Sequence, residues 1–276
     1  MRIAQRSVRK YKLAPSYANI DENALLERCN KFVNTSNNTV TSDRNQRVMY
    51  FAGCMTSLTP SISKSTVAIL QKAGIRFEIM DKDGGICCGR PMLMAGRIAQ
   101  AKEMIEKNTA IIKASGADTL LLSCPICYKI FKEQYQLEGI EVIHHTEFFD
   151  RLIESGKITL NGSDTRYVYH DPCELGRGCG IYEQPRNVVR KAGELVEAEK
   201  HGKESICCGG SLGSLTLGFD KRKALTENAL ANLTIASPDT IVTACPLCRS
   251  TFNRYSDIPV KDIAEIVDEA TRKKKR

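Results

Sequence analysis

Thr119-Leu120-Leu121-Leu122-Ser123-Cys124-Pro125-Ile126-Cys127 runs from a short apolar stretch into a Cys-Pro-x-Cys turn. Thr240-Ile241-Val242-Thr243-Ala244-Cys245-Pro246-Leu247-Cys248 repeats it 121 residues later. The stretch before each turn reads as a buried strand. The proline then opens a helix, at a position where its missing N–H is no loss. Working outward, the match continues: Cys87-Cys88-Gly89 recurs as Cys207-Cys208-Gly209 at an offset of 120, and Cys54 as Cys173 at 119. Of 12 cysteines, only Cys29 and Cys179 fall outside these two sets of five. A repeat of this length is an internal duplication.

Each half alternates strands and helices. In the first, strands are expected at 48–51, 76–80, 119–122 and 141–143, with helices at 61–72, 95–115, 125–135 and 147–154. In the second, strands are expected at 167–170, 195–197 and 240–243, and an extended stretch at 258–260. Helices are expected at 186–193, 219–233, from 246, and at 262–270. The order predicts an α/β fold of two homologous cysteine-rich halves, 47–158 and 165–270, with mostly parallel sheets related by a pseudo-twofold axis. Residues 1–46 read as a basic extension and linker with a short amphipathic helix at 22–33. Residues 271–276 read as a basic tail.

The chain has 276 residues, 42% apolar and 26% charged, so it has length enough for a true core without cysteine staples. It contains no uninterrupted apolar run of membrane-spanning length. Met1–Arg6 is polar and basic with no apolar stretch behind it, which predicts no secretory signal and a reducing, cytoplasmic setting. The net charge of +8 belongs to the ends: residues 1–46 carry +4 and 271–276 carry +5, leaving the body at −1. That body has no basic stripe with interleaved aromatics, which argues against nucleic acid. A basic tail is an ordinary solvated end or a docking arm for an acidic surface.

In a reducing compartment such cysteines point to metal or redox chemistry before disulfides. Each set places one cysteine at a strand end, an adjacent pair after 32 or 33 residues, and a Cys-x-x-Cys after a further 35 or 36. Loops after parallel strands converge on one edge of the sheet, and helix N-termini favour thiolate. Buried unligated cysteine, disulfides and zinc compete with iron–sulfur ligation. Zinc is the strongest rival, but it takes four ligands, usually as two Cys-x-x-Cys pairs. A polynuclear cluster lets adjacent cysteines bind different irons.

The stretches Phe51-Ala52-Gly53-Cys54, Ile86-Cys87-Cys88-Gly89, Ser123–Tyr128, His170-Asp171-Pro172-Cys173-Glu174-Leu175-Gly176-Arg177, Cys207-Cys208-Gly209-Gly210 and Cys245–Cys248 resemble the CCG-domain, or cysteine-rich-domain, iron–sulfur proteins. These are typified by the B and D subunits of heterodisulfide reductase, the latter through its C-terminal region. The domain also occurs in iron–sulfur subunits of glycolate oxidase and anaerobic glycerol-3-phosphate dehydrogenase. The resemblance implies two non-cubane [4Fe–4S] clusters. One would be held by Cys54, Cys87, Cys88, Cys124 and Cys127, the other by Cys173, Cys207, Cys208, Cys245 and Cys248. It implies an oxidoreductase subunit for two-electron thiol/disulfide chemistry on a small substrate. The alternatives are an electron relay in a flavin-linked 2-hydroxyacid or glycerol-3-phosphate dehydrogenase complex and a zinc-bound scaffold. The ferredoxin-like Cys-x-x-Cys-x-x-Cys-x-x-x-Cys segment of many relatives is missing. Electrons are therefore expected from a ferredoxin-like or flavoprotein partner, or the chain is a fragment of a fused protein. Such a partner would also give peripheral association with the inner face of a membrane.

Outside the ligand sets, His170, Arg177 and Cys179 are the candidates for catalytic roles. His170 is placed to orient a loop or to protonate a leaving thiolate. Arg177 and Arg90 are placed to stabilise anionic charge. Cys179 lies in a glycine-rich loop after Cys173. Cys29, Tyr128 and His144-His145 read as packing residues.

Overall fold

A computed structural model describes residues 46–56, 59–82, 86–210 and 216–272. The expected helix at 22–33, Cys29 and tail residues 273–276 lie outside them. The first half contains β1 (Arg47–Phe51), α1 (Pro60–Lys72), β2 (Arg76–Ile79), α2 (Arg90–Met94), α3 (Ile98–Ala114), β3 (Thr119–Leu122), α4 (Pro125–Gln134), β4 (Glu141–His144) and α5 (His145–Glu154). The second contains β5 (Arg166–His170), α6 (Gly176–Cys179), α7 (Glu183–Ala192), β6 (Glu194–Val196), α8 (Phe219–Thr234), β7 (Thr240–Thr243), α9 (Pro246–Phe252), β8 (Val260–Asp262) and α10 (Ile263–Ala270). Each half is a four-stranded sheet, ordered β2-β1-β3-β4 and β6-β5-β7-β8, and every pairing is parallel.

The central strands are apolar on both faces because helices cover both. Leu120, Leu121 and Leu122 are fully buried, as are Ile241 and Val242. Between the halves, α1 packs on α10 and α5 packs on α7. The first long helix of each half thus meets the last helix of the other. Exchanging the halves reproduces the same contacts, which is the signature of a twofold relation. Ile62, Ile69 and Leu70 of α1 share one buried core with Ile263, Ile266 and Val267 of α10.

Three expectations change at their edges. The helix expected at 95–115 is split in two. Gly96 adopts φ +69°, and the Arg97 amide donates back to the Met92 carbonyl, closing α2 before α3 begins. The glycine-rich loop after Cys173 winds into the short α6, which stops at Gly180. The extended stretch expected at 258–260 pairs as Val260–Asp262 instead, one step toward the closing helix.

Candidate metal centre

Strand order reverses between β1 and β3, and again between β5 and β7, so the connections leave the sheet in opposite directions there. The carboxyl ends of such neighbouring strands form the natural crevice of an open α/β sheet. Cys54 follows β1 and Cys124 follows β3; Cys173 follows β5 and Cys245 follows β7. The duplication places four ligand candidates at two such points.

The sulfurs form one continuous string. Cys54 acts on Cys87, Cys87 on Cys88, Cys88 on Cys127 and Cys127 on Cys124. In the same order Cys173 meets Cys207, then Cys208, Cys248 and Cys245. Cys124 and Cys245 act on each other and so link the two sets. None of the eleven described cysteines is in a disulfide. All ten of the expected ligands are therefore brought together. Cys179 is not part of the string; it is half-buried near Lys129, Glu133 and Glu174.

Crowded sulfurs cannot all carry charge without a cation among them. The bonds from Cys127 and Cys87 pull the Cys88 thiol down to about 5, and those from Cys173 and Cys208 pull Cys207 down to about 2. Cys124 also falls, while Cys54 and Cys173 rise, each chiefly through the neighbouring sulfur. Cys87, Cys127, Cys208, Cys245 and Cys248 rise as well, so three acidic thiols sit among seven reluctant ones. As ligands all ten would be thiolates, and a multinuclear cationic core fits that donor set. The backbone leaves room beside the sulfurs. Gly53 sits at φ +82°, and a Cβ there would reach within 3.4 Å of Cys127 Sγ.

The ligand loops are tied from behind. Asn108 Nδ2 of α3 donates to the Cys87 carbonyl, and Tyr135 Oη donates to that of Cys88. In the second half Thr226 Oγ1 of α8 donates to the Cys208 carbonyl. Asp81 accepts from the Ala52 and Gly53 amides (3.1 and 2.7 Å) just before Cys54. The second half does this differently. Asp171 lies inside the loop and is gripped in two-pronged fashion by Arg186 at 2.7 and 2.8 Å, while Arg186 also donates to Glu197. Asp81, Asn108, Tyr135 and Arg186 escape sequence reasoning because each acts across 15 or more positions, with no local pattern to mark it.

His170 is buried, and both ring nitrogens are engaged. Nδ1 lies 3.3 Å from Thr243 Oγ1, and Nε2 lies 3.2 Å from the Ile206 carbonyl, to which it donates. Burial pushes its pKa down to about 4, so the ring is neutral at pH 7. Arg177 donates to the carbonyls of Lys203 and Ser205, just before Cys207. Arg90 crosses between halves to Glu174, beside Cys173, at 3.1 Å. Tyr128 Oη donates to Glu147, and His144 caps α5.

The cysteine-rich (CCG) domain model matches this chain twice, over residues 48–132 and 167–253. The chain belongs to the CCG family. This CCG protein is 31% identical over 241 residues to the D subunit of dihydromethanophenazine:CoB–CoM heterodisulfide reductase from Methanosarcina acetivorans, covering 81% of the chain and 58% of that protein. It is 28% identical to the B subunit of fumarate reductase (CoM/CoB) from Methanothermobacter marburgensis, covering 81% and 46%. It is 29% identical to the EtfAB:quinone oxidoreductase of Syntrophomonas wolfei, covering 72% and 30%. The chain thus spans about half the length, or less, of the curated relatives it matches. Its two cysteine-rich domains relate it to these proteins. Among the described residues no helix is long and apolar enough to cross a membrane.

Proposed function

We propose that the chain is a subunit carrying two non-cubane [4Fe–4S] clusters, one on each set of five cysteines, for two-electron thiol/disulfide chemistry. The observation that carries this reading is the ten-sulfur string joined at Cys124–Cys245. When bound, the clusters would supply one-electron transfer to and from a sulfur substrate between the two halves. The chain's own residues hold and shape the site. Asp81 and Asp171 fix the loops that carry Cys54 and Cys173. His170 and Arg177 hold the Cys207 loop, His170 through Nε2 and Arg177 through Nη1, each donating to backbone carbonyls, which makes them positioning residues. The Arg90–Glu174 pair spans the halves beside both sets.

Two electrons must reach the site singly, and the described residues contain no second redox group. A ferredoxin-like or flavoprotein partner is the donor in this reading, and the setting is cytoplasmic. The EtfAB:quinone oxidoreductase among the relatives favours a second reading, a relay passing electrons toward a quinone. Two measurements test the proposal. Anaerobically purified chain should be brown and hold about eight irons; a colourless chain with stoichiometric zinc would overturn it. The oxidised holoprotein should develop a thiol-induced paramagnetic signal. Absence of that signal, together with no disulfide-dependent reoxidation, selects the relay.

A further inference from the structure

The two halves meet around a set of buried ionisable groups that no ligand role uses. His145, first residue of α5, and Asp262, the N-cap of α10, come from opposite halves, and both side chains are 0% exposed. His145 Nε2 lies 3.5 Å from Asp262 Oδ1. Both nitrogens of His145, Nε2 of His144 and Oδ2 of Asp262 are buried with no hydrogen-bond partner. His144 Nδ1 accepts from the Thr146 amide, so its proton sits on Nε2 and points at nothing. An unsatisfied buried polar atom costs about 1–3 kcal/mol. Four in one place, three of them on the facing His–Asp pair, mark a site kept for something other than packing.

Its location says what. By strand register, His144 pairs with Leu122 two residues before Cys124, and Asp262 pairs with Thr243 two residues before Cys245. The site therefore lies one strand away from the junction of the two sulfur sets, and charge on Cys124 acts on both His144 and Asp262. It also has an outlet. The His144 and His145 rings are 4.4 Å apart, and His144 meets the Tyr128 ring edge-on at 5.7 Å. Tyr128 and Glu147 line a cavity of about 370 Å³ whose rim holds the exposed Lys132, Glu141 and Arg151.

We propose that His145 and Asp262, with His144 on the route to solvent, form a proton-loading site that takes up one proton from water for each electron the cysteine site accepts. This rests on the cluster reading above. The electron comes from a one-electron donor of the ferredoxin class. The proton comes from solvent through the Tyr128–Glu147 cavity. The only bond made is an N–H on His145, beside Asp262, and the net charge of the buried region is unchanged. In the loaded protein the cysteine sulfurs are bound as thiolates, so the proton goes to the nearest free bases. The other groups facing the pair are accounted for. Tyr50 of β1 bonds to Ser123, and Glu265 is held by Arg249 of α9. Arg186 of α7 is spent on Asp171, and Lys72 of α1 on Asp268. Tyr169 of β5, whose hydroxyl is unpartnered, is pushed up by burial. Burial drives His145 down and Asp262 up, so the pair stays uncharged until an electron arrives.

The test is a spectroelectrochemical titration of the anaerobic holoprotein from pH 6 to 9. The reduction potential of wild type should fall by about 59 mV for each tenfold drop in proton concentration. Asp262→Asn keeps the cap of α10 and should flatten this slope. His145→Phe, which retains the stack on Phe149, should do the same. His201→Gln, at an exposed imidazole, should leave it unchanged. A pH-independent potential in wild type, or a full slope in both variants, overturns the proposal. A chain that binds no iron overturns the cluster reading instead, and this site with it.

Discussion

Arg186 is 4% exposed and Asp171 is 2% exposed, and two near-parallel bonds of 2.7 and 2.8 Å join them. Arg186 also donates to Glu197 at 2.9 and 3.2 Å and to the Tyr182 carbonyl at 2.9 Å. In Arg186→Met these acceptors lose their donor. Asp171 is left buried with the Gly202 amide as its remaining partner apart from the arginine. Removing one member of a buried pair costs about 3–5 kcal/mol, mostly as the penalty of the stranded charge. At about 2–4 °C per kcal/mol for a chain of this size, Tm should fall by roughly 6–20 °C. Thermal denaturation followed by circular dichroism reads this directly. Asp171→Asn combined with Arg186→Met removes the stranded charge and should recover most of the loss. Arg151→Met, at an exposed pair with Glu141, should cost less than about 1 kcal/mol. If Arg186→Met melts within about 2 °C of wild type, or the double variant is as damaged as the sum of its parts, the loop is not held by this pair.

Cys127→Ser and Cys248→Ser should each remove about half the iron and leave the other set loaded, as read by iron assay and Mössbauer spectroscopy; loss of all iron from either variant would show that the sets are not independent. The buried, neutral His170 has its pKa lowered from 6.5 to about 4, so it contributes stability that is fully present above pH 6.5 and is lost as pH falls toward 4. That contribution is at most about 3 kcal/mol, and Tm of His170→Phe should depend less on pH across this window than wild type does. Gly210→Ala would place a Cβ 2.2 Å from Thr251 Oγ1 beside Cys208 and should cost about 1–3 kcal/mol, much of it recovered by adding Thr251→Ala. Equal stability of Gly210→Ala and wild type in urea titrations would refute that contact.

The fold and the gathering of ten cysteines were legible because both are written in short-range signals. Thr119–Leu122 and Thr240–Thr243 sit where their apolar runs place them, and Pro125 and Pro246 start helices as proline at that position does. The offset between repeats located the halves without any structure. The supporting contacts were hidden because they join residues far apart in sequence. Nothing near Asp81 marks it as the clamp on Gly53, 28 residues away. His144-His145 read as packing, and burial agrees. That one of them faces Asp262 depends on the docking of one half against the other, which no local pattern encodes. The break at Gly96 was missed because the heptad spacing of Ile98, Ile105 and Ile112 runs through one helix, while α2 has no buried residue to announce it.

The two halves keep their cysteines in the same order but differ in what surrounds them. Phe51 stacks edge-on against Phe131; at the equivalent places the second half has His170 against Phe252. Tyr50 bonds to Ser123, whereas Tyr169 faces the position of Ala244 and has no partner. His144 caps α5 where Asp262 caps α10, and each forms a capping box with a glutamate. Potentials of buried redox centres follow local charge, hydrogen bonding and solvent access. In the reading proposed above, two clusters on equal ligand sets in unequal surroundings would differ in potential, and a first electron would have a preferred half. The approach of Cys124 to Cys245 would let both sets serve one substrate despite that difference. Duplication supplied the pair of cysteine sets, and divergence in the residues behind them would order the electrons.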